Sequence, residues 1–189
     1  MAPTRLSFFS SAIVPFRLVF LMWLVFTIQL LYNIDLAFLG ILPRTGWGLV
    51  GIFTAPMVHG NLQHLLSNTF PLLFLGSTLF FFYQQIAHRV FLRCYFITNI
   101  IVWLFSTRFS FHIGASGLIY GLSAFLIFFG LLRKDFISLF ISIVVILSYG
   151  GIFYGVLPID PRISWESHLA GFIVGTISAF QLKDKKRVY

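Results

Sequence analysis

The sequence predicts an all-α, polytopic membrane protein with six transmembrane helices in one domain. Hydrophobic residues make up 59% of the 189 residues and charged residues only 10%, whereas a soluble domain carries about 25% charged residues. The apolar residues, which include 25 Phe, gather in runs long enough to cross a bilayer. A crossing needs about 20 residues, so a chain of this length has room for about six crossings and no extramembrane domain.

The predicted spans follow one another with short connections. The first span follows Arg5 and Arg17 and is interpreted as a retained helix, because its apolar stretch is long for a signal peptide and no clean cleavage site follows. The polar stretch from Gly40 to Gly51 is too short and broken to span, so we expect a loop or an interfacial element there. The six spans are expected at about 18–36, 59–83, 90–105, 115–132, 136–157 and 165–182, and residues 1–189 form a single domain.

The net charge of +8 is interpreted as a signal of membrane orientation. An even number of crossings puts both termini on one side, which then holds ten of the 13 basic residues; the other side holds Arg44, Arg108 and Arg162. Cytoplasmic loops are enriched in Lys and Arg, so both termini should be cytoplasmic. A nucleic-acid partner is not expected, because no soluble domain carries a basic patch, although the basic tail could also contact anionic membrane lipids.

Three polar clusters open the second, fourth and sixth predicted spans. They are His59-Gly-Asn-Leu-Gln-His64 continuing to Asn68, Gly114-Ala-Ser116-Gly117 continuing to Gly121, and Ser167-His168 continuing to Gly175. A polar group that faces lipid is costly, so it usually faces a partner or a cavity. The predicted orientation places all three clusters at the outer ends of their helices, where they can converge at one depth.

Each cluster taken alone is more often structural than catalytic. Gly-x-Ser-Gly in a membrane helix is usually a packing site, a lone His at a helix end is usually interfacial, and Gly171 with Gly175 forms a face typical of close helix contact. Here the packing interpretation supports a functional one. Glycine faces on the fourth and sixth spans would bring Ser116 and His168 within hydrogen-bond reach, which is the geometry of an activated serine.

Other intramembrane chemistries lack the residues they need. The only Glu is Glu166, so there is no His-Glu-x-x-His metal site, and Cys94 alone cannot form a cysteine cluster. The four Asp residues lie at span ends or in loops, which argues against an aspartic mechanism and against an ion-coupled transporter. No lysine lies within a span to serve as a base. We therefore expect serine–histidine chemistry without a metal or cofactor.

The conjunction of His59-x4-His64-x3-Asn68, Gly114-x-Ser116-Gly117 and His168-x2-Gly171-x3-Gly175 resembles the rhomboid family of intramembrane serine proteases in its minimal six-helix, bacterial form. The resemblance covers nearly the whole chain and implies a rhomboid-like bundle. It implies that Ser116 is the nucleophile and His168 its general base, in a dyad without a third acid. The other implied site residues are His64 and Asn68 in the oxyanion hole with the Ser116 N–H, Tyr120 stacked on the catalytic imidazole, and His59, Gly114, Gly117 and Gly171 in supporting positions.

The resemblance also implies a place and partners for the protein. The substrates would be transmembrane proteins, cut in or near their spans, in a bacterial inner membrane with the site opening to the periplasmic side. One departure concerns the first loop, where Leu49-Val50-Gly51 stands in place of the Trp-Arg pair that many rhomboids carry, and we expect this loop to pack differently. The loop from Pro158 to Ser167 is expected to cap the cavity and to move.

Two other functions remain open at this point. The chain could be a catalytically inactive rhomboid-like protein that binds transmembrane segments without cutting them, although such a binder has no need of an intact Ser116 and His168. A small transporter or lipid enzyme would show turnover that survives the loss of Ser116.

Overall fold

The computed structural model describes residues 7–133, 135–158 and 164–184, which are mostly helical and form no strand. The helices are α1 (Phe8–Tyr32), α2 (Gly48–Thr54), α3 (Leu62–Phe82), α4 (Gln84–Leu92), α5 (Thr98–Phe105), α6 (Ser116–Arg133), α7 (Phe136–Tyr149), α8 (Ile152–Gly155) and α9 (Trp165–Leu182). A π-helical turn at Arg93–Ile97 joins α4 to α5 in one continuous rod. The predicted all-α fold is confirmed.

The helices have the length and the surface of membrane spans. Four of those described are long and apolar enough to cross a membrane: Phe9–Tyr32, Leu62–Phe82, Gln84–Phe105 and Ser116–Arg133. The helix α7 is apolar but only 14 residues long, and α9 has 18 residues but carries Glu166, His168 and Gln181. Large apolar side chains point outward, such as Phe9 at 85% and Leu147 at 81% exposure. Such a surface belongs in lipid, and the protein is an integral membrane protein.

The first helix differs from the predicted span in both of its ends. It begins at Phe8 instead of residue 18, because Ser7 caps it by accepting the Ser10 N–H at 3.1 Å. It ends at Tyr32 instead of residue 36, because Asn33 adopts the left-handed conformation (φ 49°) and turns the chain away. A polar cap therefore extends the helix beyond the apolar run that predicted it.

Two other helices are shorter than their predicted spans. The helix α3 begins at Leu62 instead of His59, because Asn61 caps it by accepting the His64 N–H at 2.8 Å. The predicted span 136–157 is divided, since α7 ends at Tyr149 and the short α8 follows Gly150 and Gly151. His59 therefore lies in a loop, outside the spanning helix.

The helix α6 is the centre of the bundle, with most of its side chains buried against α3, α7 and α9. Helices α3, α6 and α9 begin at the same end of the bundle, because His64 lies against Gly114 just before α6, and Gly171 of α9 lies against Gly117. We call this end the site end. The three predicted polar clusters thus share one depth.

The first loop, residues 33–61, packs closely on the site end. The backbone of Ile41 pairs with that of His112 through two 2.9 Å hydrogen bonds, and the carbonyl of Ala55 accepts the Gly114 N–H at 2.8 Å. These bonds fix the segment that leads into α6. Trp47 stays 54% exposed and donates its indole N–H to the Phe38 carbonyl at 2.7 Å.

Candidate active site

Ser116 is the first residue of α6 and remains half-buried, so it can still be reached. Gly114, two residues earlier, has φ of +101°, a conformation that residues with a Cβ rarely adopt. The Ala115 carbonyl accepts the Ile119 N–H at 3.1 Å and thus begins the helix. The backbone N–H groups of this first turn have no partner within the helix and favour negative charge nearby.

His168 lies in the first turn of α9 with both ring nitrogens engaged. Its Nε2 is 2.8 Å from Ser116 Oγ, and its Nδ1 is 2.9 Å from the Gly155 carbonyl oxygen. A carbonyl can only accept, so Nδ1 carries the hydrogen and Nε2 is left as an acceptor for the Ser116 hydroxyl. This backbone carbonyl therefore fixes the tautomer that a serine base requires, the part an aspartate has in a triad.

Tyr120 packs face to face on the His168 ring, with ring centroids 3.9 Å apart and planes inclined by 11°. It lies one turn after Ser116, on the same face of α6. Its hydroxyl fills the space beside Gly155, where an added Cβ would lie only 1.7 Å from the Tyr120 oxygen. Tyr120 and Gly155 together hold the imidazole between a ring face and a carbonyl.

Glycines bring α6 and α9 into backbone contact. A Cβ on Gly171 would lie 2.0 Å from the Gly117 carbonyl oxygen, and one on Gly175 would lie 2.0 Å from the Gly121 carbonyl oxygen. Any larger residue at these positions would push the helices apart. The predicted glycine contact is thus present, and it is what lets Ser116 and His168 meet.

His64 and Asn68 lie on α3 beside the segment that leads into α6. A Cβ on Gly114 would be 2.6 Å from His64 Nε2, so the imidazole covers the entry to α6. Asn68 is 2% exposed and donates one N–H of its amide to the His64 carbonyl at 2.7 Å, while its Oδ1 has no partner among the described residues. The second N–H of this amide remains to serve a ligand, and the roles of both residues stay predictions.

His59 is fully buried behind His64, and the two rings meet edge to face at 4.9 Å. Its backbone carbonyl accepts an N–H from Gln29 of α1 at 3.0 Å. Burial, with the neighbouring His64, lowers the pKa of His59 to about 4. His59 is therefore neutral near pH 7 and packs against the His64 ring.

The sequence pattern of the Rhomboid domain matches residues 46–185, which covers most of the chain and includes His59, His64, Asn68, Ser116, Tyr120 and His168. The chain belongs to the rhomboid family. Uncharacterized proteins of Mycobacterium bovis and Mycobacterium tuberculosis are 37% identical to this rhomboid chain over 182 residues, covering 88% of it and 73% of their own length. An uncharacterized protein of Mycobacterium leprae is 37% identical over 155 residues, covering 74% of this chain and 58% of its own.

The sequence did not predict the contacts of two residues, Gly155 and His112. Gly155 contacts His168 through its backbone carbonyl, a group that every residue type carries, and it lies within the predicted span 136–157. His112 precedes Gly114 by two residues and is 4% exposed. An inventory of polar residues at the outer helix ends would have found it. Half of the predicted capping loop, residues 159–163, lies outside the described residues.

Proposed function

We propose that this rhomboid-family protein is a serine-type endopeptidase that hydrolyses peptide bonds in or near the transmembrane segments of other membrane proteins. The observation that carries the proposal is the 2.8 Å contact between Ser116 Oγ and His168 Nε2, with Nδ1 tied to the Gly155 carbonyl. A hydroxyl that faces the unprotonated nitrogen of an oriented imidazole is the arrangement of an activated serine.

Acylation begins when Ser116 Oγ attacks the carbonyl carbon of the scissile bond and its proton passes to His168 Nε2. The tetrahedral intermediate collapses, Nε2 returns that proton to the leaving amine, and an ester on Ser116 remains. Water then attacks the ester while Nε2 takes its proton. Ser116 Oγ leaves with that proton, and the second product departs as a carboxylic acid that releases its remaining proton to water.

The negative charge of the intermediate is proposed to be stabilised by the Ser116 N–H, the free N–H of the Asn68 amide and His64. The Ser116 N–H belongs to the first turn of α6, where the helix dipole favours negative charge. Loss of one such donor typically costs about 10²–10³-fold in rate. Tyr120 and the Gly155 carbonyl keep the imidazole in place through both half-reactions.

We further propose that the protein lies in a bacterial inner membrane with both termini in the cytoplasm and the site end towards the outside. The division of basic residues, ten against three, supports this orientation, and the relatives named above are bacterial proteins. Substrate segments would come from the surrounding lipid, and water would enter from the outer surface, where the polar starts of α3, α6 and α9 meet.

A fluorophosphonate probe, which reacts with activated serines, tests the proposal. Wild-type protein is expected to be labelled, and Ser116→Ala and His168→Ala are expected to lose the label. Ser123→Ala is a matched control on the same helix, because the Ser123 hydroxyl is buried and has no partner among the described residues. Folded wild type that neither reacts nor cleaves any transmembrane substrate would instead favour an inactive binder of transmembrane segments.

A further inference from the structure

His112 links the segment before α6 to the segment before α9. Its ring is 4% exposed, with Nε2 at 2.9 Å from Ser106 Oγ and Nδ1 at 2.5 Å from Ser164 Oγ. The Ser164 hydroxyl in turn lies 2.8 Å from the hydroxyl of Ser167. We call these four residues, Ser106, His112, Ser164 and Ser167, the His112 clasp.

The His112 end of the clasp is fixed independently of α9. The backbone N–H and carbonyl of His112 both pair with Ile41 of the first loop at 2.9 Å. Two residues later, the Gly114 N–H donates to the Ala55 carbonyl at 2.8 Å. The imidazole therefore projects from a segment that is held on both sides and that leads directly into Ser116.

The other end of the clasp lies at the start of α9, next to the backbone of His168. The Ser164 carbonyl accepts the N–H groups of Ser167 at 3.0 Å and of His168 at 3.3 Å, so Ser164 is the residue from which α9 starts. A serine at this position commonly caps its own helix through its side chain. Here the Ser164 side chain makes no such cap, because its hydroxyl is engaged with His112 and Ser167.

A second attachment runs between the same two segments. Glu166 Oε1 accepts the N–H and the hydroxyl of Thr107, each at 2.8 Å, and the Arg108 N–H at 3.3 Å. Arg108 also places its carbonyl 3.3 Å from His112 Nε2. The first turn of α9 is thus tied to the 106–112 segment by a carboxylate and by an imidazole.

We propose that His112 is a positioning residue for the proteolytic reaction: it holds Ser164, and through the Ser164 carbonyl it holds the backbone of His168 at the distance from Ser116 that proton transfer requires. Nδ1 accepts from the Ser164 hydroxyl, and Nε2–H donates to Ser106 Oγ. The catalytic part of this inference rests on the proposed function, whereas the attachment of α9 does not.

Two amide substitutions distinguish the hydrogen bond of Nδ1 from that of Nε2. In His112→Asn the amide lies where Nδ1 was and can still pair with Ser164, whereas in His112→Gln it reaches the position of Nε2 and can pair only with Ser106. A displacement of His168 by about 1 Å costs about 10²-fold in rate. We therefore expect His112→Ala and His112→Gln to label with fluorophosphonate about 10- to 100-fold more slowly than wild type, and His112→Asn to recover most of the rate.

Hydrogen exchange gives a readout that needs no activity. The Ser167 and His168 amides should exchange faster in His112→Ala and His112→Gln than in wild type or His112→Asn. His88→Asn is the matched control, because His88 packs on Phe80 at the end of α3 away from the site. Equal labelling rates for the Asn and Gln variants, or unchanged exchange in His112→Ala, would overturn the inference. Unlabelled wild type would overturn the proposed function instead, and the exchange result would still decide whether His112 holds α9.

Discussion

Replacing Gly171 with alanine is predicted to separate α6 from α9 and to disconnect Ser116 from His168. The added Cβ would lie 2.0 Å from the Gly117 carbonyl oxygen, whereas ordinary contacts begin at 3.4 Å. The three nearest obstacles, which are the Gly117 carbonyl oxygen and carbon and the Gly121 nitrogen, are all backbone atoms and cannot rotate away as a side chain can. The two helices must therefore move apart locally by roughly 1 Å or more.

The size of the effect follows from the position of Gly171 beneath the dyad. His168 lies three residues earlier on the same helix face, so the separation lengthens its 2.8 Å contact with Ser116 beyond the usual hydrogen-bond limit of about 3.2 Å. A misplacement of ~1 Å costs about 10²-fold, and we expect that loss in the cleavage rate. Overpacking lowers the free energy of unfolding by about 1–3 kcal/mol. Alanine has a higher helix propensity than glycine, which offsets about 1 kcal/mol of this loss, so the protein should still fold.

The assay is cleavage of a reporter transmembrane substrate in proteoliposomes, with thermal unfolding measured on the same preparations. Gly46→Ala is the control, because a Cβ there meets nothing within 4 Å. Gly175→Ala makes the same 2.0 Å clash, with the Gly121 oxygen, but one turn further from His168. The Gly175→Ala variant should be destabilised by a similar amount but should keep a higher cleavage rate than Gly171→Ala. A Gly171→Ala variant that cleaves at the wild-type rate would refute the reasoning.

Two further predictions concern Gly155 and His59. Gly155→Ala puts a Cβ 1.7 Å from the Tyr120 oxygen and should slow cleavage by at least about tenfold through displacement of the His168 ring; Tyr120→Phe combined with Gly155→Ala should recover part of the rate in the same assay, and no recovery would exclude this clash as the cause. Burial and His64 lower the pKa of His59 to about 4 in the folded protein, whereas an unfolded histidine has a pKa of about 6.5. Between these two pH values the unfolded state binds a proton and the folded state does not. The free energy of unfolding is therefore at its full value above about pH 6.5 and falls by up to about 3 kcal/mol towards pH 4 because of His59. Chemical denaturation in detergent at pH 7.5 and 4.5 should show a smaller difference between the two pH values in His59→Gln than in wild type. An equal difference would contradict the assignment.

The bundle and the meeting of its polar helix starts could be predicted because they depend on residue spacing. Pairs of glycines spaced four residues apart on two helices predict the contact of Gly171 and Gly175 with α6. This contact brings Ser116 and His168 together. Apolar runs forecast the spans but not their ends. The start of α1 at Phe8 depends on the cap by Ser7, a local hydrogen bond that hydropathy does not register.

The parts of the site that escaped prediction depend on backbone groups or on partners far apart in the sequence. The tautomer of His168 is fixed by the Gly155 carbonyl, 13 residues away, and any residue type can supply a carbonyl. His112 is an ordinary loop histidine until the fold brings it to Ser164, 52 residues later. Such contacts follow from tertiary packing and leave no periodic signal in the chain.

The most direct test of the central account compares cleavage of a reporter transmembrane substrate by purified wild type, Ser116→Ala and His168→Ala in proteoliposomes. Wild type is expected to cut the substrate, and each variant is expected to fall to background while keeping the thermal unfolding of the wild type. Cleavage that persists undiminished in either variant would contradict the claim that Ser116 and His168 carry out proteolysis.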